Sequence, residues 1–152
     1  MLLIGLGNPL MSDEGIGVRL IEELEAKHEL PPEVELMELG TGGLTILHAI
    51  RDRKKALFVD SALMGETPGS MRRFRPEEVV SQKLQPRMSL HEGDLLQTLA
   101  LAQRLGECPE EVIIFGIEPE SVEPGQGLSA CLESRLGEYV ACLMAELSPG
   151  RA

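Results

Sequence analysis

Large aromatic side chains are scarce in this sequence. Among its 152 residues there is no Trp, one Tyr and three Phe, although 43% of the residues are hydrophobic. Aliphatic side chains must therefore fill the interior, and the chain is long enough for one domain with a substantial core. No apolar run reaches the roughly 20 residues that a membrane-spanning helix needs. We therefore expect a single globular domain.

Positive charge is scarce as well. The chain has 14 Lys and Arg residues against 25 Asp and Glu residues, which gives a formal net charge of −11. Nucleic acids and anionic membrane surfaces are polyanions, so this charge opposes binding to both. We therefore expect no nucleic-acid partner and no membrane partner, whereas a protein partner or a cationic ligand is compatible with the charge.

Cysteine is limited to three residues, Cys108, Cys131 and Cys142, and no pair has C-x-x-C spacing. This pattern is typical of free thiols in a reducing compartment and not of a disulfide framework or a zinc cluster. The first residues also lack the charged segment and the apolar stretch of a signal peptide. Together these absences predict a cytoplasmic location.

Short apolar runs alternate with helical patterns, as in a mostly parallel sheet with helices on both faces. We predict one α/β domain over residues 1–147, with a twisted sheet of about five strands and a frayed tail at 148–152. The predicted strands cover residues 2–6, 34–39, 56–59, 71–75 (a basic edge strand) and 112–117. Four helices are predicted. The first begins near residue 13, and the second covers 44–50 with Leu47 and Ile50 inward. The third runs from a capping box at 89–92 to about residue 105, and the fourth extends from 129 to 147. Residues 76–88 are expected to hold a short helical turn and a loop.

The first predicted strand leads into the most informative stretch. Residues 5–9, Gly-Leu-Gly-Asn-Pro, predict a tight turn, but not a dinucleotide-binding one, because Leu10 stands where G-x-G-x-x-G needs its third glycine. Ser12 and Asp13 are typical helix-capping residues, so the acidic pair Asp13–Glu14 falls where a helix begins. Ligands of open α/β sheets bind at the carboxyl ends of the strands. The acidic pair is therefore expected at the ligand-binding edge of the sheet.

Three residues far apart in sequence are candidate metal ligands. Glu14 and Asp60 each follow a predicted strand, so both are expected along the same edge. His91 is predicted in the first turn of a helix, where the positive end of the helix dipole favours a neutral ring. Two carboxylates and an imidazole suit a divalent ion and leave positions open for substrate or water. The structural alternative is that both acids merely favour helix starts and that His91 is an exposed helix residue.

A long loop follows the last predicted strand. Residues 116–129 are rich in Pro and Gly, and loops of this length in small domains are usually functional. The prolines favour a fixed shape over a passive connection. We therefore expect this loop to overhang the same edge of the sheet.

Taken together, these stretches resemble the hydrogenase maturation endopeptidases. The resemblance is carried by five segments, in the same order and over nearly the whole chain: residues 7–18, 59–62, 68–69, 89–91 and 116–129. It implies a single α/β domain that removes the C-terminal extension from the large-subunit precursor of a nickel–iron hydrogenase. In one place the chain departs from the family, because Glu38-Leu39-Gly40-Thr41 stands where Asp-Gly-Gly-Thr is usual.

By this resemblance Glu14, Asp60 and His91 fall on the family's metal-binding positions. The implied metal is nickel already inserted in the precursor, although other divalent ions could occupy the site. The nickel would signal that the precursor is ready, so that only a loaded precursor is held for cleavage. Asp13, Glu38 and Asp60 are the candidates for the general base, since all three are predicted at the same edge.

Three other functions compete with this one. A nickel-sensing or nickel-delivery chaperone would use the same three ligands without cleaving a peptide. A peptidyl-tRNA hydrolase shares the Gly-Leu-Gly-Asn-Pro opening but needs a basic RNA-binding face, which the charge of −11 opposes. A third possibility is a scaffold domain whose acidic edge is purely structural.

Overall fold

The structure is a computed structural model that describes residues 1–40, 43–81, 87–88 and 94–148. Strands and helices alternate through most of it. The strands are β1 (Leu2–Leu6), β2 (Glu35–Leu39), β3 (Lys55–Leu63), β4 (Met71–Phe74), β5 (Arg87–Met88) and β6 (Glu111–Ile117). The α-helices are α1 (Ile16–Lys27), α2 (Gly43–Ile50), α3 (Pro76–Ser81), α4 (Asp94–Arg104), α5 (Ala130–Glu133) and α6 (Leu136–Leu147). A 3-10 helix, Ser12–Gly15, leads directly into α1.

Five strands form one sheet in the order β2-β1-β3-β6-β4. β1 pairs in parallel with β2 and β3, and β3 pairs in parallel with β6, while β4 runs antiparallel to β6. The two-residue strand β5 adds to the end of β3 in antiparallel orientation. This arrangement confirms the predicted single-domain α/β fold with a mostly parallel sheet. It also confirms β4 as an edge strand, where its arginines deter pairing with another chain.

Helices cover both faces of the sheet. Side chains of each buried strand point alternately to the two faces, and each face needs an apolar cover, so two separate apolar clusters form. One cluster joins Leu57 and Val59 of β3 to α1 and α6, where Tyr139 is buried. The other joins Phe58 of β3 to α2 and α4. Burial of one such side chain stabilises the fold by roughly 1.5–3 kcal/mol, so both faces contribute to stability.

The start of α1 packs directly on the sheet, because Gly5 and Gly17 carry no Cβ. A Cβ at Gly5 would overlap the carbonyl oxygen of Gly17, and a Cβ at Gly17 would overlap those of Leu6 and Val59. The two glycines thus bring the beginning of α1, and the acidic residues just before it, against the ends of β1 and β3.

The third strand is longer than the sequence predicted. β3 continues to Leu63 and contains Asp60, which was expected just after the strand. It continues because Asp60 and Ser61 pair with β6, and Ala62 and Leu63 pair with β5. Pairing with neighbouring strands therefore holds Asp60 in regular sheet.

The predicted last helix is divided into α5 and α6. The Ser134 hydroxyl donates to the carbonyl of Cys131 at 2.9 Å, and Arg135 leaves the helical region with φ −107° and ψ 7°. Such a side-chain bond competes with continuation of the helix. The predicted apolar face is nevertheless buried along both helices, at Leu132, Leu136, Tyr139, Val140 and Leu143.

The remaining differences are small. In α2 the buried residues are Ile46 and Ile50, so the prediction was right for Ile50, while Leu47 is only partly buried. The capping box at 89–92 and the tail at 149–152 lie outside the described residues, and α4 is described from Asp94. None of the described helices combines the length and the apolar character that crossing a membrane requires.

Candidate functional site

Glu14 and Asp60 meet at the turn that follows β1. Gly7 lies in this turn with φ +119°. A Cβ at Gly7 would overlap the carbonyl oxygen of Glu14 and would come within 3.3 Å of Asp60 Oδ1. The backbone of one candidate ligand and the carboxylate of the other therefore border the same small space. The structure thus brings these two predicted residues to one place.

Asp60 is fully buried in β3. Its Oδ1 accepts a hydrogen bond from the backbone amide of Ser61 at 2.8 Å. Alternation along β3 puts Asp60 on the face of Phe58 and Ala62, the face that α2 and α4 cover. Its carboxylate is therefore held by the strand itself and has little freedom to move.

Glu14 lies in the 3-10 helix and is partly buried. Burial removes water from its carboxylate and raises its pKa above the ordinary value for Glu. A cation bound nearby would act in the opposite direction, because it favours the ionised form. Glu14 is therefore a partly buried carboxylate whose ionisation is disfavoured in the absence of a nearby cation.

Asp13, the neighbour of Glu14, has a different environment. Its side chain is fully buried. Oδ2 accepts hydrogen bonds from the amides of Glu120 at 2.9 Å and Ser121 at 3.1 Å, and Oδ1 accepts one from the amide of Ser129 at 2.7 Å. Both oxygens are thus occupied by backbone donors of the long loop after β6. This geometry favours a supporting role for Asp13 over that of a general base.

Further bonds fasten the same loop to the turn after β1. The Ser12 hydroxyl donates to the carbonyl of Glu123 at 2.7 Å, and the Ser12 amide donates to Gly125 at 2.9 Å. The amide of Gly125 donates in return to the carbonyl of Leu10 at 2.9 Å. The loop therefore lies along residues 10–13, which agrees with its predicted position at this edge of the sheet.

Glu118 is a third buried acid at this edge, after Asp60 and Asp13, and sequence reasoning assigned no role to it. It is 5% exposed, and its Oε1 accepts hydrogen bonds from the amides of Met64 at 2.8 Å and Glu66 at 3.0 Å. The signal that could have revealed it is a Glu-Pro pair directly after a fully apolar strand, where a charged side chain needs local donors. Glu118 thus fixes the segment that follows β3.

The segment after β3 is also held from the other side. The buried Tyr139 hydroxyl donates to the carbonyl of Gly69 at 2.7 Å. Burial raises the pKa of Tyr139 to about 12, so its hydroxyl keeps its proton. Residues 64–70 are therefore tied both to Glu118 and to α6.

Glu38 lies apart from the Asp60 carboxylate. It is exposed on the edge strand β2, in register with Gly5, which in turn pairs with Val59. Since Val59 and Asp60 point to opposite faces, Glu38 belongs to the face that α1 covers. Burial and the charges of Glu22 and Glu25 raise its pKa. These positions do not favour Glu38 as a partner of Asp60.

His91 lies outside the described residues, three positions before the first described residue of α4. Within the described ranges, no group of three or more His, Cys, Asp or Glu side chains could hold a metal ion. The three-ligand site therefore stays a prediction, of which the structure brings two members, Glu14 and Asp60, to the same turn.

Comparison with known proteins gives one consistent result. A family model described as hydrogenase maturation protease matches residues 18–146. The hydrogenase 2 maturation protease of Escherichia coli is 33% identical over 151 residues, which cover 97% of this chain and 90% of that protein. The hydrogenase expression/formation protein HoxM of Cupriavidus necator is 37% identical over 120 residues, which cover 79% of this chain but only 59% of that longer protein.

A solved structure agrees with these relatives. The hydrogenase maturating endopeptidase HybD from Escherichia coli superposes with a TM-score of 0.85 at 33% identity, over 96% of this chain and 90% of that one. The similarity therefore extends over nearly the whole domain, including the edge that carries Glu14 and Asp60.

Proposed function

The chain belongs to the hydrogenase maturation proteases, and we propose that it is an endopeptidase for a nickel–iron hydrogenase large-subunit precursor. In this proposal it removes the C-terminal extension of the precursor after nickel insertion. The observation that carries the proposal is that the Glu14 backbone and the Asp60 carboxylate both border Gly7, at the edge of the sheet where α/β proteins bind ligands.

The metal in this reaction is part of the substrate. Carboxylate oxygens from Glu14 and Asp60 and an imidazole nitrogen from His91 form a donor set that suits nickel and other borderline divalent ions. We assign these three residues to recognition of the nickel that the precursor carries.

Cleavage then depends on positioning. Binding the nickel holds the precursor so that its scissile bond lies beside an attacking water, and such orientation can supply about 7–11 kcal/mol of the barrier in the best cases. A precursor without nickel lacks this attachment, so the difference in affinity makes the irreversible cut selective. The subtype we propose is therefore a metal-gated endopeptidase.

The supporting residues have separate tasks in this scheme. Asp13 holds the long loop against the turn, because its oxygens accept three backbone hydrogen bonds. Leu10 is 58% exposed on the same turn, where it offers an apolar contact to a protein substrate. The candidates for the general base are Asp13, Glu38 and Asp60. We favour Asp60, because its carboxylate faces the turn after β1.

The proposed location is the cytoplasm. Cys108, Cys131 and Cys142 are all free thiols, as in proteins of a reducing compartment. The proposed partner is the precursor alone, without nucleic acid or membrane, in keeping with the net charge of −11.

One experiment separates the candidate functions. The purified protein is incubated with nickel-loaded and nickel-free precursor, and the product is read by intact mass. Shortening of the loaded precursor alone supports the proposal. Glu14→Gln should slow this cleavage strongly without abolishing it, whereas the exposed control Glu29→Gln should leave it unchanged. A stable complex without cleavage would favour the chaperone, and equal cleavage of both precursors would refute gating by nickel.

A further inference from the structure

Two buried carboxylates join the segments that carry Glu14 and Asp60. Both act through residues 118–129, which connect β6 to α5 and are called the rim loop below. Asp13 holds both ends of the loop, because it accepts hydrogen bonds from the amides of Glu120 and Ser121 near the start and of Ser129 at the end, between 2.7 and 3.1 Å. Asp13 directly precedes Glu14, so the rim loop is fastened next to the first candidate ligand.

At the start of the loop, two residues before Glu120, Glu118 reaches the segment after β3. Its carboxylate accepts from the amides of Met64 and Glu66. Its own amide donates to the carbonyl of Ser70, and its carbonyl accepts from the amide of Gly69, both at 2.8 Å. Residues 64–70 follow directly after β3, the strand that contains Asp60, so the rim loop is also fastened to the segment that begins four residues after the second candidate ligand.

We infer that Asp13 and Glu118 are positioning residues, which fix the distance between Glu14 and Asp60 through the rim loop. The inference rests on the proposed function, since positioning matters only if those two residues act together. Neither positioning residue is available to the substrate, because Asp13 is 0% and Glu118 5% exposed. They are therefore not catalytic residues themselves.

The chemistry of the carboxylate explains why acids occupy these positions. An ionised carboxylate only accepts hydrogen bonds, and its two oxygens can receive several amides at once. An Asn at position 13 offers one acceptor oxygen, and its NH2 group would face an amide that is itself a donor. Burying a carboxylate costs desolvation free energy. If the loop needed only packing, apolar side chains at these positions would hold it without that desolvation cost. The acids are retained for the geometry that they impose.

The test compares Asp13→Asn with Glu29→Gln, an equal charge change at an exposed position. Hydrogen exchange should accelerate at the amides of Glu120, Ser121 and Ser129 in Asp13→Asn, and also at the amide of Glu14, which donates to Met11 at 3.2 Å. Amides in β1 and β6 should keep their wild-type rates. Precursor cleavage should fall by about 10- to 100-fold, the usual cost of removing a group that orients a metal ligand.

A second comparison distinguishes positioning from general support. If Asp13 acts through Glu14, adding Asp13→Asn to Glu14→Gln should reduce the remaining cleavage no further. If the loss of cleavage in the double variant equals the product of the losses in the two single variants, the inference is overturned. Unchanged exchange at the Glu14 amide would overturn it too, and this result stands even if no precursor is cleaved and the proposed function fails.

Glu118→Gln provides the matching arm on the Asp60 side. It should accelerate exchange at Met64 and Glu66, and its effect on cleavage should disappear in a variant that already lacks the Asp60 carboxylate. If Asp13→Asn does not fold, Ser12→Ala removes one neutral bond to the same loop, from the hydroxyl to the Glu123 carbonyl. Hydrogen exchange in Ser12→Ala should show the same pattern, and precursor cleavage should fall by about fivefold. A wild-type exchange pattern would contradict the inference.

Discussion

Gly7→Ala tests whether the turn after β1 controls the site. The φ of +119° at Gly7 is one that L side chains rarely adopt, and holding Ala there costs about 1–3 kcal/mol. The new Cβ would also overlap the carbonyl oxygen of Glu14 and approach Asp60 Oδ1 to 3.3 Å. Accommodating it costs about 1–3 kcal/mol more, as overpacking does elsewhere.

Together these costs amount to about 2–6 kcal/mol, less than the total stability of most domains, so the variant should still fold. In a domain of this size each kcal/mol lowers Tm by about 2–4 °C, so a fall of roughly 5–20 °C is expected. The overlap is relieved only if the Glu14 backbone or the turn at Gly7 shifts, and either shift changes the position of Glu14 relative to Asp60. Precursor cleavage should therefore fall by about 100-fold, although both acids are still present.

The matched control is Gly106→Ala. Gly106 also has a positive φ, +69°, but a Cβ there would meet no heavy atom of the described residues within 4 Å. It should lose about 1–2 kcal/mol through backbone strain alone and cleave normally. Calorimetry and the cleavage assay measure both variants. Equal melting of the two variants would refute the steric argument, and normal cleavage by a destabilised Gly7→Ala would refute the link to the site.

Three further predictions follow from single residues. Tyr139→Phe leaves the carbonyl of Gly69 without its buried donor and should lower the free energy of unfolding by about 1–3 kcal/mol; a wild-type urea midpoint would contradict this. The raised pKa of Glu14 means that its ionisation destabilises the fold as pH rises through that pKa. The Tm of Glu14→Gln should therefore lie above that of the wild type at neutral pH and equal it below about pH 4, while precursor cleavage falls. A Tm below that of the wild type at neutral pH would contradict the argument that ionised Glu14 destabilises the fold. Leu10→Ser should raise KM with unchanged Tm, since Leu10 is 58% exposed, and an unchanged KM would remove it from the substrate surface.

Much of the fold was predictable because its signals are local. The apolar runs of β1 and β6 and the helical spacing of α1 depend only on neighbouring residues, and all three elements lie where the sequence put them. The end of β3 was not predictable in this way. It depends on pairing with β6, whose partner residues lie more than 50 positions further along the chain. Long-range hydrogen bonds can extend a strand through residues, such as Asp60, that local propensity would exclude.

The candidate site shows the same division. Glu14 and Asp60 could be selected because each follows a predicted strand, although β3 in fact continues through Asp60 to Leu63. The role of Asp13 could not be selected, since its three donors lie 107 to 116 residues away. Glu118 was missed for a similar reason, because its donors are 52 and 54 residues earlier in the chain.

The 3-10 helix explains why two adjacent acids have such different environments. With three residues per turn, successive side chains point about 120° apart. One direction takes Asp13 into the amides of the rim loop, where it is fully buried, and the next leaves Glu14 partly exposed at the turn. Glu14 cannot leave its place without either breaking the bonds of Asp13 or moving the rim loop with it. The same short helix therefore carries the candidate ligand Glu14 directly beside its buried anchor, Asp13.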